Sequence, residues 1–328
     1  MPRFLRPILL LFSVLFLLCF TSCFAMVDSL DKYNKSLDLL SVDLTEAEAT
    51  VYKDISYGSH RLENYDLYLS KNAEKQDHLI IFIHGGSWKS GDKKDLTEWC
   101  KYFTKLGYTT ATINYTLLQG KDKPNLNSIN DQIHSCVQNI LDYCSAKGVD
   151  LTDMALYGFS AGACPAILYA YKDPTSSPLP IRFVAQQSGP TSFAPELWNP
   201  EGGTHYTIRW QTGCDGSVKG WAKWVSMITG QEVTEEMVKN KEDTELWKSV
   251  SPVNYIDSSD VPMLYSYSYH DTVIPPASKE YLARALEEAL IVCASYFFPN
   301  SGHMLLCDND IQKQYIDKFV FYCNTYFT

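Results

Sequence analysis

The chain has 328 residues, of which 45% are hydrophobic, 13% aromatic and 20% charged, which excludes a disordered, collagen-like or coiled-coil protein and supplies a sizeable core. Its formal charge is −10, with no cluster of lysine or arginine. Nucleic acid is therefore not expected as a partner, because nothing offers its phosphates a basic surface.

The first segment in chain order stands apart from the rest. Arg3 and Arg6 precede an uncharged run from Pro7 to Val27, the charged and apolar halves of an export signal over residues 1–23. The protein is expected outside the cytoplasm, secreted or anchored on the cell envelope. Phe20-Thr21-Ser22-Cys23 resembles a bacterial lipoprotein cleavage box, which would place a lipid on Cys23. Cleavage after Ala25 and an uncleaved membrane anchor compete with that reading, the latter because the run is about long enough to span a bilayer. Residues 24–50 read as a tether.

From Val51 onward β-rich runs alternate with helical patterns. Strands are predicted over Tyr65–Leu69, Leu79–Ile83, Thr109–Asn114, Met154–Tyr157, Phe183–Gln186, Met263–Tyr269 and Ala294–Phe298. Several are apolar throughout, as strands buried on both faces must be. Between them Ile129, Ile133, Val137, Ile140, Leu141 and Cys144 recur at the 3.6-residue period of a helix. The order predicts an α/β fold, a mostly parallel sheet covered by helices on both faces, in one domain over residues 51–328.

Residues 191–250 interrupt that alternation. They hold Trp198, Trp210, Trp221, Trp224 and Trp247, five of the seven tryptophans, without a clear strand. Two readings stand side by side: a cap-like insertion over the site, or a satellite hydrophobic cluster under a long loop. Of the ten cysteines, eight follow Cys23, with no C-x-x-C pair. Zinc-ribbon and thioredoxin chemistry are thereby excluded, and most of the eight are expected to be small core residues. No H-E-x-x-H, G-x-G-x-x-G or Walker-type run is present, so no metal or cofactor is expected.

The strongest chemical signal is Gly158-Phe159-Ser160-Ala161-Gly162, set between a predicted strand and a helical stretch. A turn this tight strains the serine backbone and needs glycines on either side, and it pushes Oγ out at the carboxyl edge of the sheet. It also puts the Ala161 N–H at a helix start, where a developing negative charge is favoured. Upstream, His84-Gly85-Gly86-Ser87-Trp88 follows the run Leu79–Ile83, with glycines that let backbone N–H groups turn toward one point.

A serine hydroxyl needs a base, and the base an orienting carboxylate. Functional groups in open α/β sheets gather at the carboxyl ends of strands, which favours His303 over His205, inside the insertion. The same rule favours Asp271, which follows its strand, over Asp257 and Asp260, which precede theirs. His270 is a lesser rival base beside Asp271.

The chain order Ser160, Asp271, His303 is that of α/β-hydrolases. His84–Trp88, Gly158–Gly162, His270–Pro275 and Asn300–His303 together resemble the esterase branch of that superfamily, most closely the feruloyl and acetyl-xylan esterase-like group and its kynurenine formamidase relatives. Ser188-Gly189-Pro190 and Val250–Asn254 are similar to segments of that group. The resemblance spans about residues 51–325. It implies oxyanion donors in the backbone N–H groups of Gly86 and Ser87 with that of Ala161. Ser87 stands where the pattern has a third glycine, which leaves the second donor open.

The expected activity is an exported serine ester hydrolase working through an acyl-enzyme on a small-molecule or oligosaccharide ester, with a short acyl group favoured. A peptidase or formamidase would use the same three residues. A surface-tethered binding protein whose chemistry has lapsed is the alternative from another class.

Overall fold

The computed structural model describes residues 39–118 and 124–328. The expected export signal and Cys23 lie outside them. Eight strands form one sheet in the order β1-β2-β4-β3-β5-β6-β7-β8: β1 Ala49–Ser56, β2 Asn64–Ser70, β3 His78–Ile83, β4 Thr109–Ile113, β5 Asp153–Phe159, β6 Ile181–Gln187, β7 Met263–Ser268 and β8 Cys293–Phe298. Only β2 runs against the others, since β1 and β4 pair with it antiparallel and the remaining neighbours pair parallel. This is the expected α/β-hydrolase fold.

Both faces of the sheet are covered, and β3 shows why its sequence is apolar at every step. Leu79, Ile81 and Ile83 enter one core layer, Ile80 and Phe82 the other, and all five are fully buried. Alternation across the pleat sends successive side chains to opposite layers. On the Phe82 side lie α1 (Thr97–Lys105) and the C-terminal helix Asn309–Tyr326, where Trp99, Phe103 and Phe319 pack on Phe82 and Tyr157. On the other side lie α2 (Leu126–Ser145) and α3 (Ala163–Tyr171). The helix expected from Ile129 to Cys144 falls within α2. Asn125 caps it, its side chain accepting from the N–H groups of Asn127 and Ser128.

Strand β1 escaped the sequence reading. It is an edge strand whose residues are mostly exposed or half-buried, with a register break between Tyr52 and Ile55, so its sequence lacks the apolar run that marks a central strand. The folded part also starts before the expected boundary at Val51: β1 begins at Ala49 and Leu40 is buried in the Phe82 layer.

Residues 191–250 contain no strand. They form α4 (Pro195–Trp198), α5 (Tyr206–Thr212), α6 (Val218–Thr229), α7 (Glu235–Lys239) and α8 (Thr244–Lys248). Trp198, Trp221 and Trp224 join the same core cluster as β3 and α2, so they extend the main core and are no separate satellite. After the insertion come β7, α9 (Ser278–Glu288), β8 and α10 (Asn309–Tyr326). Six of the eight cysteines are buried, Cys293 and Cys307 are exposed, and all eight are free thiols. No helix among the described residues is long and apolar enough to cross a membrane.

Candidate active site

Strand β5 delivers Ser160 into a single 3₁₀ turn, Ser160–Gly162, that leads directly into α3. Ser160 sits at φ 52°, a left-handed conformation that costs a non-glycine residue roughly 1–3 kcal/mol. The turn leaves no room for side chains on either side. A Cβ on Gly158 would come 2.4 Å from Ala163 Cα, and one on Gly162 would come 2.2 Å from the carbonyl oxygen of Ile83. Gly162 is therefore what lets the serine turn approach the loop after β3.

The structure brings Ser160, His303 and Asp271 together. His303 Nε2 lies 2.7 Å from Ser160 Oγ, and His303 Nδ1 lies 2.8 Å from Asp271 Oδ2. A carboxylate only accepts, so Nδ1 carries the proton and Nε2 is free to accept from the serine. Asp271 is buried, and its Oδ1 accepts from the N–H groups of Val273 and Ile274 at 2.8 and 2.9 Å. These bonds hold the carboxylate at the end of β7 and keep its other oxygen for the imidazole.

The rival residues stand elsewhere. His270 is exposed and joins the site only through its backbone, donating to the Ser301 carbonyl at 3.3 Å. His205 is exposed and caps α5, accepting from Thr207 N. Asp257 and Asp260 form a turn before β7, joined by a 2.8 Å bond from the Asp257 N–H; burial pushes the Asp260 carboxyl up to about 6.

Sequence reasoning missed the brace under His303. The Asp308 carboxylate accepts from Asn300 N at 3.1 Å, Asn300 Nδ2 at 2.8 Å and Ser301 Oγ at 2.6 Å, while Ser301 Oγ accepts from Cys307 N at 3.0 Å. Burial opposes ionisation of Asp308, but the bonds from Ser301 and Asn300 outweigh it and hold its carboxyl below the usual range. An acid five residues past the histidine carries no motif of its own, so only the closed loop reveals it.

The loop after β3 is bent by three consecutive positive φ values, Gly86 at 104°, Ser87 at 54° and Trp88 at 57°. Among the described residues the N–H groups of Gly86 and Ser87 donate to no other group. The Ala161 N–H is in the first turn of its short helix, where donors have no helical partner. His84 does not face the serine. It is buried, stacks on Tyr115 at 4.4 Å, and Tyr115 Oη donates to its carbonyl at 2.8 Å. Burial pulls its pKa below the ordinary histidine value. Trp88 Nε1 donates to the Ala161 carbonyl at 2.7 Å and locks the two loops together.

Ser160 opens onto two spaces of different size. One is a groove of about 430 Å³ lined by Gly86, Ser87, Leu96, Phe159, His303 and Met304 among others. The other is a slot of about 20 Å³, room for little more than one water-sized group. Trp88, Pro190, Trp198, Trp224 and Ile274 wall the slot, which Ser87 and Ala161 also touch. Thr212 of the insertion completes it, and Gln211 lines both spaces. The insertion thus walls the site with some of its tryptophans while burying them in the core. The groove floor at Asp95 and Leu96 follows Lys93, whose buried ammonium donates to Asp66 at 2.6 Å and Asp54 at 2.5 Å, tying this wall to β1 and β2.

The family model described as BD-FAE matches residues 65–286, more than half of the chain. The chain belongs to the BD-FAE family. Ser160 and Asp271 of this BD-FAE chain lie inside the matched stretch and His303 beyond it. A kynurenine formamidase of Drosophila melanogaster is 26% identical over 121 residues, which is 37% of this chain and 38% of that protein. The similarity therefore spans well under half the length of that relative. Three solved structures share the fold. A truncated carbohydrate esterase from gut microbiota superposes with TM-score 0.66 at 16% identity, over 87% of this chain and 100% of that one. Esterase B from Lactobacillus rhamnosis gives 0.64 at 15% identity, over 95% and 94%. A thermophilic esterase from the Planctomycetes species Thermogutta terrifontis gives 0.59 at 19% identity, over 84% and 91%. The BD-FAE chain shares the α/β-hydrolase fold of these three solved structures.

Proposed function

We propose that this protein is a serine carboxylic-ester hydrolase that removes short acyl groups, acetyl before feruloyl, from larger alcohols. The observation that carries the reading is His303 bridging Ser160 Oγ and Asp271 at 2.7 and 2.8 Å. In the reaction His303 Nε2 takes the serine proton as Oγ attacks the ester carbonyl, and Asp271 stabilises the imidazolium. The N–H groups of Ala161 and of Gly86 or Ser87 stabilise the oxyanion. The imidazolium protonates the departing alcohol; neutral again, the base activates water, and the acyl-enzyme is hydrolysed.

The slot supports the short acyl group. The narrow space between Trp88, Trp198 and Trp224 favours a small acyl group over an aromatic one, whereas the groove has room for the alcohol. A formyl group would fit the slot equally, and the partial similarity to a formamidase makes an N-formyl amide the comparison substrate. By its N-terminal sequence we further propose export, with lipid attachment at Cys23 tested by radiolabelled palmitate against Cys23→Ala.

A fluorophosphonate probe tests the nucleophile: labelling of the parent and none of Ser160→Ala is expected, and no labelling of either refutes the mechanism. Hydrolysis of p-nitrophenyl acetate should exceed that of a feruloyl ester and of the N-formyl amide. Faster feruloyl release would overturn the acyl assignment.

A further inference from the structure

The sheet ends in two edge strands of opposite character. β1 carries Lys53 and Asp54 and a register break between Tyr52 and Ile55, features that stop another strand from pairing along an edge. β8 has none of them. No residue from Ala289 to Gly302 is charged and no proline lies within the strand, and its ladder to β7 runs without a break from Met263 opposite Cys293 to Ser268 opposite Phe298. Among the described residues no strand pairs with β8 on its far side.

Alternation along the backbone says which groups stand open. The carbonyls of Val292 and Phe298 accept from the N–H groups of Met263 and Tyr269 at 3.0 and 3.1 Å. Residues 292, 294, 296 and 298 thus turn their backbone groups toward β7, while Cys293, Ser295 and Phe297 turn theirs outward. Apolar surface flanks this open row. Val292 is 60% exposed, Leu290 is 85% exposed, and Tyr269, whose ring lies 6.2 Å from that of Phe297, is 55% exposed. Leu290 also holds a left-handed φ of 59° just past the end of α9, a position that glycine usually fills. A strained backbone position therefore presents a large apolar side chain to water beside an unguarded edge.

We propose that β8 is the docking edge for a second copy of this chain, the two strands pairing antiparallel across a twofold axis at Ser295 so that two sheets become one. In that register Ser295 faces its own counterpart, and Cys293 of each copy faces Phe297 of the other. Every outward N–H then meets a carbonyl, the self-complementarity that a twofold contact requires. Charge selects the same edge. Each chain carries −10, so two copies repel over most of their surface, and the uncharged stretch 289–302 lets them touch without opposing like charges. Lys279 packs over Tyr269 and Phe297 at 4.3 and 5.1 Å and pairs with Glu280 at 3.6 Å, so its charge is already matched within the chain. The contact uses neither Ser160 nor the spaces beside it and does not rest on the hydrolase reading.

Sedimentation equilibrium of the full-length protein in density-matched non-ionic detergent tests this. The parent should dimerise. Ser295 is exposed, so Ser295→Lys fits the single chain but sets two cations face to face in the pair, and should raise the dimer Kd by about a hundredfold or more. Ser295→Pro removes only an outward N–H, leaving the ladder to β7 intact, and should raise Kd by about tenfold or more. Register is read separately, by a gain of linkage that needs no loss of stability. With Cys293→Ser and Cys307→Ser in place, Ser295→Cys should form an intersubunit disulfide on mild oxidation, seen on a non-reducing gel, whereas Val51→Cys on the opposite edge should not. A monomeric parent, a dimer whose Kd is unchanged by Ser295→Lys, or linkage through position 295 no greater than through position 51 overturns the proposal. A dimer that survives Ser295→Lys would be held by another surface, the N-terminal segment included.

Discussion

At the sheet rim, a Cβ added to Gly162 would press to 2.2 Å from a backbone oxygen, whereas in the insertion one added to Gly202 or Gly213 would meet nothing within 4 Å. Around Ser160, strand, turn and loop backbones touch one another, so residue identity is dictated by covalent geometry and cannot drift. Residues 191–250 are built from short helices held by side chains, with Trp221 Nε1 bonded to Asp243 at 2.7 Å and Trp198 Nε1 to Ser192 O at 2.7 Å. On the proposed hydrolase reading the rim carries what every substrate needs, and the insertion what distinguishes one substrate from another. Mutations should separate the two: rim changes should lower all activity, and insertion changes should alter preference.

Ser160→Ala should give the largest effect, a loss of turnover on the order of 10⁶-fold. Thermal unfolding should show stability unchanged or raised, because alanine relieves neither burial nor packing contacts. Next, Gly162→Ala should reduce activity on every ester by at least about a hundredfold and cost roughly 1–3 kcal/mol through overpacking; retention of activity on one substrate alone would break the division between the regions.

Trp224→Ala should widen the slot and raise the ratio of butyrate to acetate hydrolysis by about tenfold, at a cost of about 3–5 kcal/mol in urea unfolding. An unchanged ratio would remove the insertion from acyl selection. Smallest is Asp308→Asn, expected to slow turnover by a few-fold through a looser His303 loop. The Asp308 carboxyl is held below its ordinary value of 3.8. Its contribution to stability is thus present above that value and lost as pH falls through the lower folded one. Melting curves between pH 2 and 7 should show parent and variant converging at the acid end. A difference independent of pH would mean the brace does not depend on charge.

Much of the site was legible before the fold. Ser160 announces itself through the glycines at 158 and 162, because the constraint acts within a few residues. Asp271 and His303 followed from a rule about strand ends, since β7 is buried throughout and β8, although it is the opposite edge strand, keeps an aromatic run at Tyr296–Phe298. Strand β1 was not legible, because an edge strand needs no apolar face. Neither was Asp308, whose partners at 300 and 301 meet it only when the loop closes, nor Trp88, whose bond to Ala161 crosses 73 residues.

The chain's own periodicity and turn chemistry were enough to specify alternating elements, the buried strands and the serine turn, all of which arise from short-range sterics and from alternation across a pleat. Tertiary packing alone decided which tryptophans are buried, which wall the slot and which faces water, and it alone divided the space at Ser160 into a slot and a groove. A tryptophan looks the same in sequence whether its ring meets the core or solvent, and that choice belongs to neighbours brought from far along the chain.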